Sequence, residues 1–247
     1  MWNAILWGTI AASATLLGAL IVLRFSIPKR IIGFIMALGT GALIGATTYE
    51  LLEGALALSG FKEIAIGFLG GALIFTILDI IVSHRGGHKR KKSEGQNGDG
   101  SESSESGSGL GIFIGTIMDT LPESAMIGMS LIGGESVSLA LVISIAISNL
   151  PEGISSTVGL QKSGYSKKKI LVLWVLVVLF SAISSWAGVM LDSASDSIKA
   201  IMSSFAGGAI ISMVASTMMP EAYKEGGPSV GFITAIGVFI SFWLHYL

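Results

Sequence analysis

Long apolar segments alternate with short polar joints along almost the whole chain. Each segment has about the 20 residues that a helix needs to cross the hydrocarbon core of a bilayer. We count eight of them: residues 4–23, 31–52, 64–83, 110–132, 137–160, 169–191, 198–220 and 228–247. Because a backbone in lipid must satisfy its own hydrogen bonds, such segments are expected to be helices. The pattern predicts an all-α polytopic membrane protein with eight transmembrane helices.

The composition strengthens this prediction. Hydrophobic residues make up 51% of the 247 residues and charged residues only 13%, with a mean hydropathy of +0.77. A soluble domain carries about 25% charged residues. The chain has no cysteine, which excludes disulfides and thiolate metal ligands. We predict one membrane domain over residues 1–247, whose first segment stays as a helix because no basic region precedes it.

Basic residues are concentrated in alternate joints. The joints after the first, third, fifth and seventh segments, together with the adjoining Lys169, hold 13 of the 15 Lys and Arg residues, and the opposite segment ends hold only Lys62 and Lys199. The positive-inside rule then places both termini outside the cell (plasma or inner) membrane and the basic joints in the cytoplasm. The longest joint covers residues 84–109, and most of it is rich in Ser, Gly and Glu. This composition predicts a disordered cytoplasmic loop.

The second and seventh segments resemble each other. Residues 41–44 read Gly-Ala-Leu-Ile, residues 208–211 read Gly-Ala-Ile-Ile, and each stretch precedes an acidic segment end. The two copies lie five helices apart, so they would have opposite orientations in the membrane. The chain thus divides into three helices, a central pair and three more helices. This order predicts a 3+2+3 arrangement with an inverted repeat, a layout common among transporters.

Two polar motifs interrupt the fourth and fifth segments near their centres. Residues 119–123 read Asp-Thr-Leu-Pro-Glu, and residues 148–152 read Ser-Asn-Leu-Pro-Glu. Ionisable groups at that depth cost about 3 kcal/mol each unless they are paired or hydrated, and each proline frees a helix carbonyl. A bound cation would satisfy both kinds of group. The predicted metal ligands are the oxygen-bearing side chains of the motifs: Asp119, Glu123, Asn149, Glu152, Thr120 and Ser148.

The alternative for this region is a pair of kinked packing helices with protonated carboxyl groups, which suits one isolated Glu better than three carboxylates at one depth. Four further acidic residues extend the hypothesis of a cation site. Glu50 and Glu53, three positions apart at the outer end of the second segment, are a candidate entrance. Asp79 and Glu221, near cytoplasmic segment ends, are a candidate exit. Ordinary solvated helix ends are the alternative in both places.

The fourth-segment motif resembles that of the ZIP (Zrt-, Irt-like protein) family of divalent-metal transporters. Members of that family have eight helices, a variable cytoplasmic loop between the third and fourth, and a His-Asn-x-Pro-Glu motif in the fourth. In this chain Asp119 and Thr120 stand at the His and Asn positions and Glu123 at the Glu position. The chain resembles a divergent prokaryotic-type member, which implies transport of Zn²⁺, Fe²⁺, Mn²⁺ or a similar ion toward the cytoplasm.

The fifth segment extends the resemblance, because Ser148, Asn149 and Glu152 match a related polar-polar-x-Pro-Glu motif of that family. Neither motif of this chain contains histidine. An all-oxygen site suits Mn²⁺, Mg²⁺ or Ca²⁺ better than Zn²⁺, which favours nitrogen and sulfur ligands. The metal would be the substrate, with no permanent cofactor.

Two other classes of function remain open. An intramembrane aspartyl-type hydrolase would use Asp79 and Asp119 as a carboxyl pair, but no Gly-x-Gly-Asp string surrounds either residue and their predicted depths differ. A metal-sensing membrane protein would bind the ion without transporting it. We predict that the chain is not an enzyme. Its expected partners are a divalent cation and the lipid bilayer, without nucleic acid, and a homodimer stays open.

Overall fold

The computed structural model of the protein describes residues 2–84, 105–132 and 137–247, and within these ranges the chain is helical and has no strand. The fold class predicted from the sequence, all-α, is therefore confirmed. The α-helices are α1 (Trp2–Arg24), α2 (Lys29–Ala46), α3 (Glu53–Leu58), α4 (Phe61–His84), α5 (Glu105–Met129), α6 (Leu139–Lys162), α7 (Lys167–Val189), α8 (Asp196–Met213), α9 (Met219–Gly226) and α10 (Val230–His245).

Six stretches of the described residues are long and apolar enough to cross a membrane. They are Trp2–Arg24, Lys29–Leu58, Phe61–Ser83, Leu139–Lys162, Lys167–Ser193 and Asp196–His245. The last stretch has 50 residues and contains α8, α9 and α10. Helix α5, whose first residues lie at the edge of the described ranges, is not among the six. The count of eight transmembrane helices therefore stays a prediction.

The two ends of the predicted loop 84–109 are helical. Helix α4 continues to His84, and α5 begins at Glu105, so residues 105–109 belong to a helix and not to the loop. A helix that has begun can extend beyond an apolar segment, because each further residue adds one backbone hydrogen bond. Residues 85–104, which carry the rest of the loop prediction, lie outside the described residues.

The second and seventh segments are each interrupted by a π-helix. The interruption between α2 and α3 covers Thr47–Leu52, and the one between α8 and α9 covers Val214–Met218. Both π-helices begin at the same distance after the Gly-Ala stretches at residues 41–44 and 208–211. π-helical turns are rare and occur frequently at functional sites. The two similar segments therefore share a local irregularity as well as a sequence pattern.

The long helices pack in pairs that correspond between the two ends of the chain. Helix α2 packs on α10, and α8 packs on α4. A Cβ atom at Gly41 would collide with the carbonyl oxygen of Thr234, and a Cβ atom at Gly208 would collide with that of Phe68. The second contact repeats the first, with α8 in the place of α2 and α4 in the place of α10.

The central helices also pack in two corresponding pairs. Helix α1 packs on α6, and α7 packs on α5. A Cβ atom at Gly18 would collide with the carbonyl oxygen of Leu150, and one at Gly188 would lie 2.5 Å from that of Ala125. Small residues let helix backbones approach closely in membranes, where van der Waals packing drives association.

A glycine in the left-handed region separates α9 from α10. Gly227 has a φ of 72°, a conformation that glycine adopts without steric cost. Pro228 follows it within a short 3₁₀ turn, Gly227–Ser229. The turn ends α9 and starts α10, which packs along α2.

Candidate metal centre

The side chains of both proline motifs are inaccessible to solvent. Pro122 lies inside α5 and Pro151 inside α6. The predicted ligands have an exposed fraction of 0% or 1%: Asp119, Thr120, Glu123, Ser148, Asn149 and Glu152. Burying a charged group is unfavourable unless it is paired, hydrogen-bonded or bound to a metal. The structure thus places all six residues in the interior, as the sequence predicted.

Two hydrogen bonds define how α5 lies against α6. Ser148 Oγ donates to Glu123 Oε1 at 3.4 Å, and Thr116 Oγ1 donates to Ser156 Oγ at 3.3 Å. Residue numbers rise along α5 from the second bond to the first and fall along α6. The two helices are therefore antiparallel at the motifs.

This register places Asp119 level with Glu152, between the two hydrogen bonds. The polar residues of α5 at positions 116, 119, 120 and 123 recur at the spacing of one helix face. We call the three levels the polar ladder: Glu123 with Ser148, Asp119 with Glu152, and Thr116 with Ser156. Along α5 it extends from Thr116 to Glu123, about 10 Å at 1.5 Å per residue.

The acidic groups are distributed along the ladder and do not form one cluster. In the part of the chain that the structure describes, no three His, Cys, Asp or Glu side chains come together in a group that could hold a metal ion. A cation on the ladder would therefore take one or two carboxylates together with hydroxyl, amide or backbone oxygens. Hard divalent cations accept such mixed oxygen ligands.

Helix α1 positions Asn149. The Nδ2 atom of Asn149 donates to the carbonyl oxygen of Ala11, in α1, at 3.2 Å. Its Oδ1 is buried and has no hydrogen-bond partner among the described residues. A buried acceptor without a partner costs about 1–3 kcal/mol. The amide is thus held by its donor side, and its acceptor oxygen is available for a ligand.

Close backbone contacts bring two further helices to the motif of α6. A Cβ atom at Gly153 would collide with the carbonyl oxygen of Thr15 in α1. A Cβ atom at Gly39 in α2 would lie 2.7 Å from the Cα atom of Ser148. The absence of side chains at Gly39 and Gly153 lets both helices pack directly on the polar stretch, which excludes lipid from it.

Glu221 extends the ladder to α9. Ser155 Oγ donates to Glu221 Oε1 at 2.9 Å, and the two residues are 2% and 8% exposed. Ser155 follows Glu152 by three positions and so shares its helix face. The candidate exit residue Glu221 therefore lies next to the end of the ladder. Asp79 is half-buried on α4, and its relay with Glu221 stays a prediction.

We expect Ser155→Ala to lower the free energy of unfolding by about 1–3 kcal/mol, because a buried carboxyl group would lose a hydrogen-bond donor. Thermal unfolding in detergent measures the effect. Ser163→Ala is the matched control, since Ser163 is partly buried and bonds only locally to the carbonyl of Gly159 at 3.0 Å. Equal stability of the two variants would mean that the Ser155–Glu221 bond does not connect α6 to α9.

The two candidate entrance residues have different surroundings. Glu50 lies in the π-helix and is 15% exposed, with its Oε1 atom 2.9 Å from His245 Nδ1. Glu53 starts α3 and is exposed. The two residues thus differ in secondary structure and in exposure, and their common face and joint role at an entrance stay predictions. Sequence reasoning missed His245, which lies 195 positions from Glu50 and carries no periodic signal.

A cavity of about 430 Å³ lies beside Glu50. It is lined by Glu50, Leu51, Gly54, Ala55, Ala57, Leu58, Met129, Ser130, Ile132, Ser138, Lys199 and Ser203. None of these described lining residues belongs to the polar ladder. Met126, Leu141 and Ile145 lie between the cavity and the ladder along α5 and α6, and each is 0% exposed. We call Met126, Leu141 and Ile145 the apolar layer.

Comparison with known proteins adds an independent observation. No protein-family model matches the chain. The chain is 26% identical over 245 residues to "Zinc transporter GufA" of Myxococcus xanthus, a match that covers 92% of this chain and 94% of that protein. It is 24% identical over 221 residues to "Putative zinc transporter At3g08650" of Arabidopsis thaliana, which covers 88% of this chain.

The chain spans only 34% of the length of the Arabidopsis relative, whereas it matches the Myxococcus relative almost from end to end. Both names describe transporters, which confirms the prediction that the chain is not an enzyme. The chain is thus a helical protein with several apolar, membrane-length helices, similar over most of its length to two proteins named as zinc transporters.

Proposed function

We propose that the chain transports divalent metal cations toward the cytoplasm, as a divergent member of the ZIP (Zrt-, Irt-like protein) family. The observation that carries this proposal is the contact between Glu123 and Ser148. It joins the two helices that bear the Pro-Glu motifs, and both residues have no solvent exposure. The names of the two relatives support metal transport in general terms.

The geometry of this contact suits a cation. Ser148 Oγ lies 2.9 Å from the carbonyl oxygen of Ile145, which is the shorter of its two hydrogen-bond distances. If the hydroxyl proton is donated to Ile145, an oxygen lone pair faces Glu123 Oε1 at 3.4 Å. Two oxygen ligands about 2.1 Å from one metal ion are about 3.0–3.4 Å apart in octahedral or tetrahedral coordination. A divalent ion therefore fits between these oxygens with little movement.

The neighbouring groups would complete the coordination. Asn149 supplies an amide oxygen, and Asp119 with Glu152 supplies carboxylates at the next level of the ladder. Thr120 adds a hydroxyl, although its proton is donated to the carbonyl of Thr116 at 2.7 Å. The ladder then acts as a series of oxygen sites of similar strength. Such a series favours transport because an ion can leave each site for the next.

The basic residues orient the pathway. Lys162 ends α6, and Lys224 lies in α9 close to Glu221 in sequence. The positive-inside rule places this end in the cytoplasm and the cavity beside Glu50 outside. In this orientation a cation would enter at Glu50 and Glu53, cross the apolar layer when it opens, and descend the ladder. It would leave past Glu221 and Asp79.

The proposal includes eight membrane crossings in a 3+2+3 arrangement with an inverted repeat. The 50-residue stretch Asp196–His245 is long enough for two crossings, and Gly227 provides a turn within it. The corresponding glycine contacts of α2–α10 and α8–α4 support a twofold relation between the chain ends. The corresponding positions of the two π-helices support it as well.

Uptake into proteoliposomes tests the proposal directly. Purified protein is reconstituted, and initial rates are measured for Mn²⁺, Fe²⁺, Zn²⁺, Co²⁺, Cd²⁺ and Mg²⁺ against protein-free vesicles. We expect saturable uptake of at least one of the transition-metal ions. Metal binding without flux by correctly inserted protein would instead support a metal-sensing function and contradict the proposal.

The aspartate at the first motif position should affect ion preference. Asp119→His adds an imidazole to an oxygen-rich site, and Zn²⁺ gains more than Mn²⁺ from a nitrogen ligand. We expect the ratio of Zn²⁺ to Mn²⁺ uptake in competition assays to rise by about tenfold, within the range over which residues around a metal change its affinity. Asp192→His, at an exposed position, is the control. An unchanged ratio would remove Asp119 from the ligand set.

A further inference from the structure

The cavity beside Glu50 is also lined by a positively charged side chain, Lys199. Lys199 lies in the first turns of α8 and lines the cavity, and its side chain is only 14% exposed. Of the described lining residues, Glu50 and Lys199 are charged, and the others are apolar or carry hydroxyl groups. The sequence places only one other basic residue, Lys62, in the joints of this end.

The partner of Lys199 neutralises it only weakly. The Nζ atom lies 3.8 Å from Asp196 Oδ1, and the Asp196 side chain is 67% exposed. Ion pairs with an exposed partner contribute little, because water and salt screen them. The Oε1 atom of Glu50, the carboxylate of the cavity, lies 2.9 Å from His245 Nδ1, and no ion pair joins Glu50 to Lys199 among the described residues. The field of the ammonium group therefore extends into the cavity.

We propose that Lys199 is a selectivity-determining residue at the entrance, where its fixed ammonium group lowers the local concentration of cations and so limits uptake. This inference rests on the proposed function. The Coulomb energy is proportional to the charge of the ion, so the repulsion of a divalent cation is twice that of a monovalent one. Low-dielectric walls focus such fields in clefts. Lys199 therefore acts as a brake on divalent-cation entry, and its removal accelerates entry.

The absence of cysteine allows the potential of the cavity to be measured without any transport assay. Ser203→Cys places a single thiol on the cavity wall, one helical turn after Lys199 on α8. Its reaction rates with a positively and a negatively charged methanethiosulfonate reagent report the local potential. We compare the reaction rate of the positive reagent with that of the negative reagent. In the Ser203→Cys background, Lys199→Gln should raise the ratio of these two rates by about tenfold at low salt.

Salt and charge-preserving substitutions provide the controls. At 1 M salt the Debye length falls to about 3 Å, so the change in the rate ratio should largely disappear. Lys199→Arg keeps the charge and should keep the original ratio. Lys62→Gln removes an exposed charge that is not among the cavity-lining residues and should also leave the ratio unchanged. Ser130→Cys offers a second reporter, on the α5 side of the cavity.

Uptake provides the second readout. At subsaturating metal, Lys199→Gln should raise the initial rate of divalent-cation uptake several-fold, on the order of three- to tenfold, with Lys199→Arg close to the parent protein. Lys199→Met keeps the apolar stem and separates loss of charge from loss of packing. Size-exclusion chromatography of each variant verifies that it is folded.

The outcomes distinguish this inference from the proposed function. An unchanged reagent ratio in Lys199→Gln overturns the role of Lys199, whatever the transport result. A shifted ratio combined with unchanged or reduced uptake by folded Lys199→Gln and Lys199→Met overturns the brake. An absence of uptake by the parent protein contradicts the proposed function instead, and the reagent ratio then still reports whether Lys199 sets the potential of the cavity.

Discussion

Glu123→Gln is expected to lower metal uptake at least about 100-fold. The substitution keeps the size of the side chain and its contact with Ser148, but it removes one of the few negative charges that can compensate a divalent ion at the centre of the bundle. Even residues that only support metal ligands cost about 10–100-fold in affinity or activity when they are changed. Initial rates of uptake into proteoliposomes measure the loss.

Asp192→Asn is the matched control for this experiment, because it removes a carboxylate at an exposed position between α7 and α8. It should transport like the parent protein. Glu152→Gln should resemble Glu123→Gln, since Glu152 lies on the next level of the ladder. Full uptake by both Gln variants, in protein that is correctly inserted, would show that the polar ladder does not carry the ion.

Gly71→Leu is expected to prevent stable packing of α4. A Cβ atom at Gly71 would collide with the carbonyl oxygen of Phe205 in α8, and backbone cannot move aside as a flexible side chain can. Overpacking typically costs 1–3 kcal/mol, and we expect more than about 3 kcal/mol here because the contact involves two helix backbones. Fluorescence-detected size-exclusion chromatography and thermal unfolding in detergent measure the loss of folded protein.

The neighbouring glycine is the control. A Cβ atom at Gly70 would meet nothing within 4 Å, so Gly70→Leu adds the same side chain to open space on the same helix. It should be tolerated, and the higher helix propensity of Leu should contribute up to about 1 kcal/mol. Equal behaviour of the two variants would mean that α4 and α8 do not pack as closely as the structure has them.

The pattern of apolar segments predicted the helices well because length and hydropathy determine membrane helices almost alone. It also indicated which polar residues lie in the interior: polar groups in the middle of apolar segments are so unfavourable that they had to be buried, as the candidate ligands Asp119 and Glu152 are.

Other features had no local signal. The π-helices are one example, because nothing in the composition of Thr47–Leu52 distinguishes it from an α-helical end. The contact of Glu50 with His245 joins opposite ends of the chain. The sequence predicted that the motif carboxylates share one depth, whereas the helix register distributes them along the ladder. That register is defined by contacts between α5 and α6, such as Ser148 with Glu123, which only the packed bundle determines.

The length of the polar ladder has an electrical consequence. A unit charge that crosses a membrane potential of 100 mV gains about 2.3 kcal/mol, so a divalent ion gains about 4.6 kcal/mol over the full thickness. The ladder covers about 10 Å of a hydrocarbon core that is about 30 Å thick. Under an evenly distributed potential, negative inside, the descent from Glu123 toward Glu221 is favoured by about 1.5 kcal/mol, or roughly tenfold in occupancy. Voltage alone would then bias this central third of the proposed pathway inward.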